Sequence, residues 1–185
     1  MKVLIIADDE FVIRRIESDP VDVLVSLGDL PEKIILDVAD LCQPTHILAV
    51  KGNHDDTRPF SSAICDLHLH TATVDGVRFG GFAGSWLFKP GLPNAFEQDE
   101  AGQLLKDFPA VDVFLAHNSP RMIHDRDDGT HLGFYAFNNY IQRARPKLFL
   151  HGHQHIDEQT LLGSTFIIGT FGHRYLNIAT HNVPA

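Results

Sequence analysis

The sequence predicts an α/β fold of buried strands alternating with helices, and three observations lead there. Short apolar runs recur with apolar residues on consecutive positions, as in strands covered on both faces: Val3–Ala7, Val21–Leu27, Thr45–Val50, Val111–Ala116 and Lys147–Leu150. Between the second and third runs, Glu32–Leu41 places Ile34, Ile35, Val38 and Leu41 on one helical face. Each run leads into a polar cluster: Asp8-Asp9-Glu10, Gly28-Asp29, Gly52-Asn53-His54-Asp55, Ala116-His117-Asn118 and Gly152-His153-Gln154-His155. Strand-helix-strand order with functional groups at strand ends is how open α/β sheets are built and how they bind.

The remaining elements follow along the chain. After the first strand, Phe11–Glu17 carries Phe11, Ile13 and Ile16 at imperfect helical spacing. Pro31 precedes the helix Glu32–Leu41, where a fixed φ suits a helix start. Beyond the third strand a loop runs to Pro59. Leu67–Val74 then alternates, Asp75-Gly76 is a two-residue hairpin turn, and Val77–Phe82 is its antiparallel partner. Ser85–Asn94, with two prolines, reads as a surface loop, and Glu97–Phe108 as a helix. Asn118–Gly133 is polar and too long for a plain connection, which marks it as a functional loop or partial lid. Phe134–Ala144 reads as the last helix. The tail is a hairpin of Leu161-Leu162 and Thr165–Ile168 about Gly163-Ser164, followed by a final strand at Tyr175–Ala179. With no internal repeat, linker or low-complexity tract, residues 1–185 are expected to form one domain.

Composition limits the partners. Apolar residues make up 44% of the chain, enough for a globular core. The formal charge of −9 disfavours nucleic acid, since sequence-independent affinity for it comes from Lys and Arg neutralising phosphates. A small phosphorylated substrate stays compatible with that balance. Cys42 and Cys65 sit in apolar contexts without metal-type spacing and are expected to be buried thiols. The amino terminus lacks the basic region and cleavage site of a signal peptide, and no apolar run approaches the roughly 20 residues of a membrane span. A cytoplasmic protein without membrane contact is the expectation.

The polar clusters are made of metal-ligand chemistry. Two divalent ions roughly 3.5–4 Å apart need a bridging oxygen and capping groups on each side, and can then clamp a phosphoryl group. Asp29 suits the bridge. Asp8 and Glu10 could both face a first ion if the chain stays extended there, and His153 and His155 repeat that spacing with imidazoles. Asn53 offers a neutral oxygen and His117 a further nitrogen, which leaves His54 free for acid-base work.

These clusters, in this order from Asp8 to His155, resemble the calcineurin-like metallophosphoesterase superfamily, whose pattern is Asp-x-His, Gly-Asp, Gly-Asn-His-Asp/Glu, a single His after a strand, and Gly-His-x-His. The resemblance implies a four-layer αββα sandwich, two mixed β-sheets face to face with helices outside. It also implies that Asp8, Glu10, Asp29 and His155 hold one ion, and that Asp29, Asn53, His117 and His153 hold the other. Mn2+ is the expected metal, with Fe2+, Zn2+, Ni2+ and Mg2+ as alternatives. His54 takes the catalytic position, with Asp55 as the acidic partner that orients it. Glu10 departs from the usual His; a small bacterial subgroup with Asp-x-Glu is similar here and in Ile123-His124-Asp125 to His131-x-Gly133.

The implied activity is hydrolysis of a small phosphodiester or phosphomonoester by a metal-bridging hydroxide, with His54 protonating the departing oxygen. The alternative is a non-catalytic or weakly active binding scaffold whose first metal site is degenerate at Glu10. Outside the motifs, His124 and His131 are candidate substrate contacts, and His151 is a candidate support for a ligand. Arg174, close to His173, is a candidate cleft residue. Trp86, Phe88 and Phe96 could pack, wall the cleft or form a homo-oligomer contact.

Overall fold

The computed structural model describes residues 1–180. Strand β1 (Lys2–Ala7) is followed by a single 3-10 turn at Val12–Arg15 and by β2 (Val23–Ser26). Helix α1 (Glu32–Cys42) leads to β3 (His46–Ala49), and β4 (Cys65–Asp66) is a two-residue edge strand. The hairpin β5 (Thr71–Val74) and β6 (Val77–Phe82) comes next, then short β7 (Ser85–Trp86) and β8 (Ala95–Phe96), which pair parallel with each other. Helix α2 (Gln98–Leu105), β9 (Val113–Ala116), α3 (Tyr135–Ala144) and β10 (Leu148–His151) follow. The hairpin β11 (Gln159–Leu162) and β12 (Thr165–Gly169) and strand β13 (Gly172–Asn177) complete the fold.

One sheet has the order β13-β1-β2-β3-β4 and the other β11-β12-β10-β9-β6-β5. Strands β1, β2 and β3 are parallel, as are β6, β9, β10 and β12, while β13, β5 and β11 are antiparallel edges. Period-two geometry explains why the runs are apolar throughout. Val3, Ile5, Val23 and Val25 pack between the sheets against Phe79, Val113, Leu115 and Leu150. Their neighbours Leu4, Ile6 and Leu24 pack outward under α1 against Ile35 and Val38. On the other side, Phe114, Phe149 and Ile167 meet Phe137, Tyr140 and Ile141 of α3. The Phe114 and Phe149 rings stack at 5.2 Å, and the Tyr140 hydroxyl donates to the Pro109 carbonyl at 2.8 Å, so its polar end is satisfied. The layers are therefore helix, sheet, sheet, helix, the expected αββα sandwich.

Several elements differ from expectation for identifiable reasons. The Phe11–Glu17 helix shrinks to one 3-10 turn because Ile16 is already extended (φ −89°, ψ 130°). Helix α2 stops at Leu105, before Phe108-Pro109, where the residue ahead of a proline resists helical geometry. The final strand runs over Gly172–Asn177 because it is cut to the length of β1, from Ala7↔Gly172 to Lys2↔Asn177. The Asp75-Gly76 turn is as read: both residues have positive φ, 49° and 76°, and Val74 pairs with Val77. Cys42 is buried, but Cys65 is exposed on the edge strand β4. No helix among the described residues is long and apolar enough to cross a membrane.

Candidate metal centre

The loops after β1, β2, β3, β9 and β10 meet at the carboxyl ends of their strands. Two glycines permit the approach. A Cβ on Gly28 (φ 95°) would lie 2.3 Å from the Gly52 nitrogen, and one on Gly52 would lie 2.0 Å from Asp29 Oδ1 and 2.6 Å from His117 Cε1. The loops then tie to one another through carboxylates. Asp29 Oδ1 accepts from the His54 backbone N–H at 2.7 Å, and Asp8 Oδ2 accepts from the His153 N–H at 2.8 Å across a sequence separation of 145.

Ligand atoms of Asp29, His117 and His153 all lie within 4.8 Å of one another. His117, fully buried, uses Nδ1 to donate to the Leu27 carbonyl at 2.8 Å, which directs Nε2 to Asn53 Oδ1 at 3.1 Å and Asp29 Oδ2 at 3.4 Å. A ring nitrogen facing two oxygen acceptors needs a positive charge between them. In its absence a proton fills the role: burial opposes the charged ring, but Asp29 and Asp8 outweigh it and lift the His117 pKa to about 9. Burial alone would raise Asp29, yet His117 and the His54 N–H bring it down to about 2. Asp8, whose side chain has no exposed surface, is pushed by burial up to about 7. Burial also takes His153 down to about 2, so its ring is neutral, and its Nε2 is buried with no hydrogen-bond partner among the described residues. Asp8 Oδ1 is a second buried atom of this kind. Unpartnered buried polar atoms are rare and costly, and a divalent cation held by mixed oxygen and imidazole donors fits these.

The wider cleft, of about 410 Å³, is lined by Asp8, Asp9, Glu10, Phe11, Asp29, Asn53, His54, Phe88, Thr130, His131, His153 and His155. Glu10 and His155 line it, although neither segment is extended as the spacing argument assumed. Asp8 (φ 62°), His153 (φ 61°) and His155 (φ 51°) are all left-handed, so the turning chain presents these side chains. His155 Nε2 is 3.9 Å from Asp8 Oδ1. His54 is exposed on the cleft, and His131 sits there with Nδ1 2.7 Å from Asp128.

Three assignments need correction. Asp55 makes no hydrogen bond to the His54 ring among the described residues. Its two oxygens accept from the N–H groups of Asp29 (2.9 Å), Leu30 (2.9 Å) and Gly52 (2.7 Å), so it clamps two loops together. His124 does not line the cleft, and both its ring nitrogens are engaged: Nδ1 is 2.9 Å from His151 Nε2 and Nε2 is 2.9 Å from Thr160 Oγ1. His151, expected to support a ligand, meets the backbone beside one. Its Nδ1 is 3.0 Å from the Gly152 carbonyl, so it supports the backbone ahead of His153. Arg174 lies on β13, 3.4 Å from Asp157, outside the cleft lining. Sequence reasoning missed Asn94, which donates to the Gly52 and Asp55 carbonyls, and overlooked the supporting role of Gln154, buried inside the His-x-His motif, which donates to Asn118, Ser119 and the His131 carbonyl. Long-range bonds of this type leave no local pattern.

The family model for calcineurin-like phosphoesterases matches residues 5–157, which span every loop described above. The chain belongs to the calcineurin-like phosphoesterase family. Members of this family bind divalent metals, and the Asp29-His117-His153 cluster of this phosphoesterase is a donor set of that kind. None of the curated proteins compared matches the chain. Among solved structures, the phosphoesterase is similar to phosphopantetheinyl hydrolase from Mycobacterium tuberculosis. The TM-score is 0.63 at 14% identity, with 100% of this chain and 98% of that one covered. It is also similar to Vps29 complexed with zinc from Entamoeba histolytica, with a TM-score of 0.52 at 14% identity over 92% of this chain and 74% of that one. At these identities the likeness concerns the fold.

Proposed function

We propose that this phosphoesterase hydrolyses a small phosphodiester or phosphomonoester with the help of two divalent metal ions, Mn2+ being the first candidate. The observation that carries the reading is the set of buried, unpartnered donors, His153 Nε2 and Asp8 Oδ1, beside Asp29, Asn53 and His117. Asp29, Asn53, His117 and His153 would hold one ion, and Asp8, Asp29, His155 and Glu10 the other. When bound, such ions supply Lewis-acid neutralisation of charge on phosphoryl oxygens and activation of water near neutral pH. The protein's own groups do the rest. The His117 Nδ1 bond to Leu27 keeps Nε2 on the site, and the carboxylate tie from Asp29 to the His54 backbone sets where the His54 ring enters the cleft. His54, exposed on the cleft, is the group that donates a proton to the departing oxygen.

The test is turnover of bis-p-nitrophenyl phosphate with Mn2+, Fe2+, Co2+, Ni2+ or Zn2+, for the wild type, Asn53→Ala and His54→Ala. Metal-dependent turnover that falls in both variants supports the enzyme. A folded protein that turns over nothing with any of these ions would instead be a binding scaffold on the same fold.

A further inference from the structure

Phe11 is 60% exposed, in a chain whose Phe79, Phe82, Phe114, Phe134, Phe137 and Phe149 have no exposed surface. It lies in the wall of the metal cleft, three positions beyond Asp8, and Phe88 lies in the same wall from the loop between β7 and β8. Neither backbone is loose. The Phe11 N–H donates to Asp9 Oδ1 at 3.0 Å while Asp9 is ion-paired with Arg15, and the Phe88 N–H donates to the Trp86 carbonyl at 3.0 Å. The Arg14 guanidinium covers one face of the Phe11 ring at 4.8 Å, so the exposure that remains belongs to its other face and edge.

Charge decides what can use such a wall. The described residues lining the cleft include four carboxylates, those of Asp8, Asp9, Glu10 and Asp29, and no Lys or Arg. Metal ions satisfy one phosphate, Asp9 is already paired with Arg15, and the cations near this wall, Arg14 and Lys89, lie against the two rings themselves, with Lys89 5.6 Å from the centre of Phe88. The rings, held in place by these contacts, are then the surface that meets the body of a substrate. We infer that Phe11 and Phe88 form a subsite for a flat, apolar ring carried by a single-phosphate ester. This rests on the phosphoesterase reading above and narrows its substrate class. The cleft volume of about 410 Å³ suits a small molecule of this kind.

The experiment is a calorimetric titration of the Mn2+-loaded protein with phenylphosphonate and with methylphosphonate, whose P–C bonds resist hydrolysis. Phenylphosphonate should bind about tenfold more tightly, the size expected of one aromatic contact. Phe11→Ala and Phe88→Ala should each remove most of that advantage and leave methylphosphonate unchanged, while Phe11→Trp should keep it. Equal affinities in the wild type, or variants that weaken both ligands alike, overturn the subsite and leave the phosphoesterase reading intact. If neither phosphonate binds the metal-loaded protein, the phosphoesterase reading fails and the subsite fails with it.

Discussion

His117 shows how a single buried side chain sets the charge balance of the site. With a pKa of about 9 it holds a proton at neutral pH, and a cation taking its Nε2 must expel that proton. Between pH 7 and 9, metal affinity should therefore rise about tenfold per pH unit and level off above 9. Calorimetry in buffers of different ionisation enthalpy should count about one proton released near pH 8; a count of zero, repeated in His117→Ala with unchanged metal affinity, would remove His117 from the ligand set. His54 calls for a different measurement. As general acid it matters most when the leaving group is poor, so His54→Ala should lose about 10²–10⁴-fold in kcat for an alkyl ester and far less for a nitrophenyl ester. Equal losses would refute the role. A third residue acts at a distance. The Gly152 carbonyl can only accept, so His151 carries its proton on Nδ1, His124 donates from Nδ1 to His151 Nε2, and Thr160 donates to His124 Nε2. His124→Ala breaks this chain and should weaken metal binding about tenfold without touching a ligand. Unchanged metal affinity in a folded variant would reduce His124 to a packing residue.

At the level of elements, the parallel strands and the loops that leave them were readable because buried strands announce themselves by composition and their polar ends by residue type. Val3–Ala7 and Val113–Ala116 are apolar at every position, because the opposite sheet covers one face of each and a helix the other. What stayed hidden was set by partners far along the chain. The edge strand Cys65–Asp66 exists because Leu48 and Ala49 offer it a ladder; the shortened α2 is a different case, since Pro109 stands directly after Phe108 and that stop signal was legible. Side-chain assignments divided in the same way. Asp29, Asn53, His117 and His153 follow from local motifs, whereas the Asp55 clamp depends on the Gly28 and Gly52 loops meeting. Gly52→Ala tests that meeting. Its methyl would overlap Asp29 Oδ1 and His117 Cε1, so the variant should lose about 2–3 kcal/mol in urea denaturation and lose metal binding, while far-UV dichroism stays that of the wild type. A variant with intact metal affinity would mean the loops are slack.

Across the whole molecule, the proposed ligands come from both sheets. Asp29 follows β2 of one, while His117 and His153 follow β9 and β10 of the other. A bound ion therefore joins the two halves of the sandwich at one end. Metal at 100 times its dissociation constant should stabilise the fold by about 2.7 kcal/mol, and chelation should lower the melting temperature accordingly. A melting temperature indifferent to chelator would show that the folded chain binds no such ion. The same end of the molecule holds left-handed backbone at Asp8, Asp29, His153 and His155, none of them glycine. Such residues cost roughly 1–2 kcal/mol each against the alternative of glycine. Replacing the exposed His155 with Gly should accordingly give a protein about 1 kcal/mol more stable than His155→Ala in urea. At Asp8 and Asp29 the same exchange would relax the backbone but cut the carboxylate ties to His153 and His54, so only a position without such a tie could be exchanged for glycine with a gain in heat resistance.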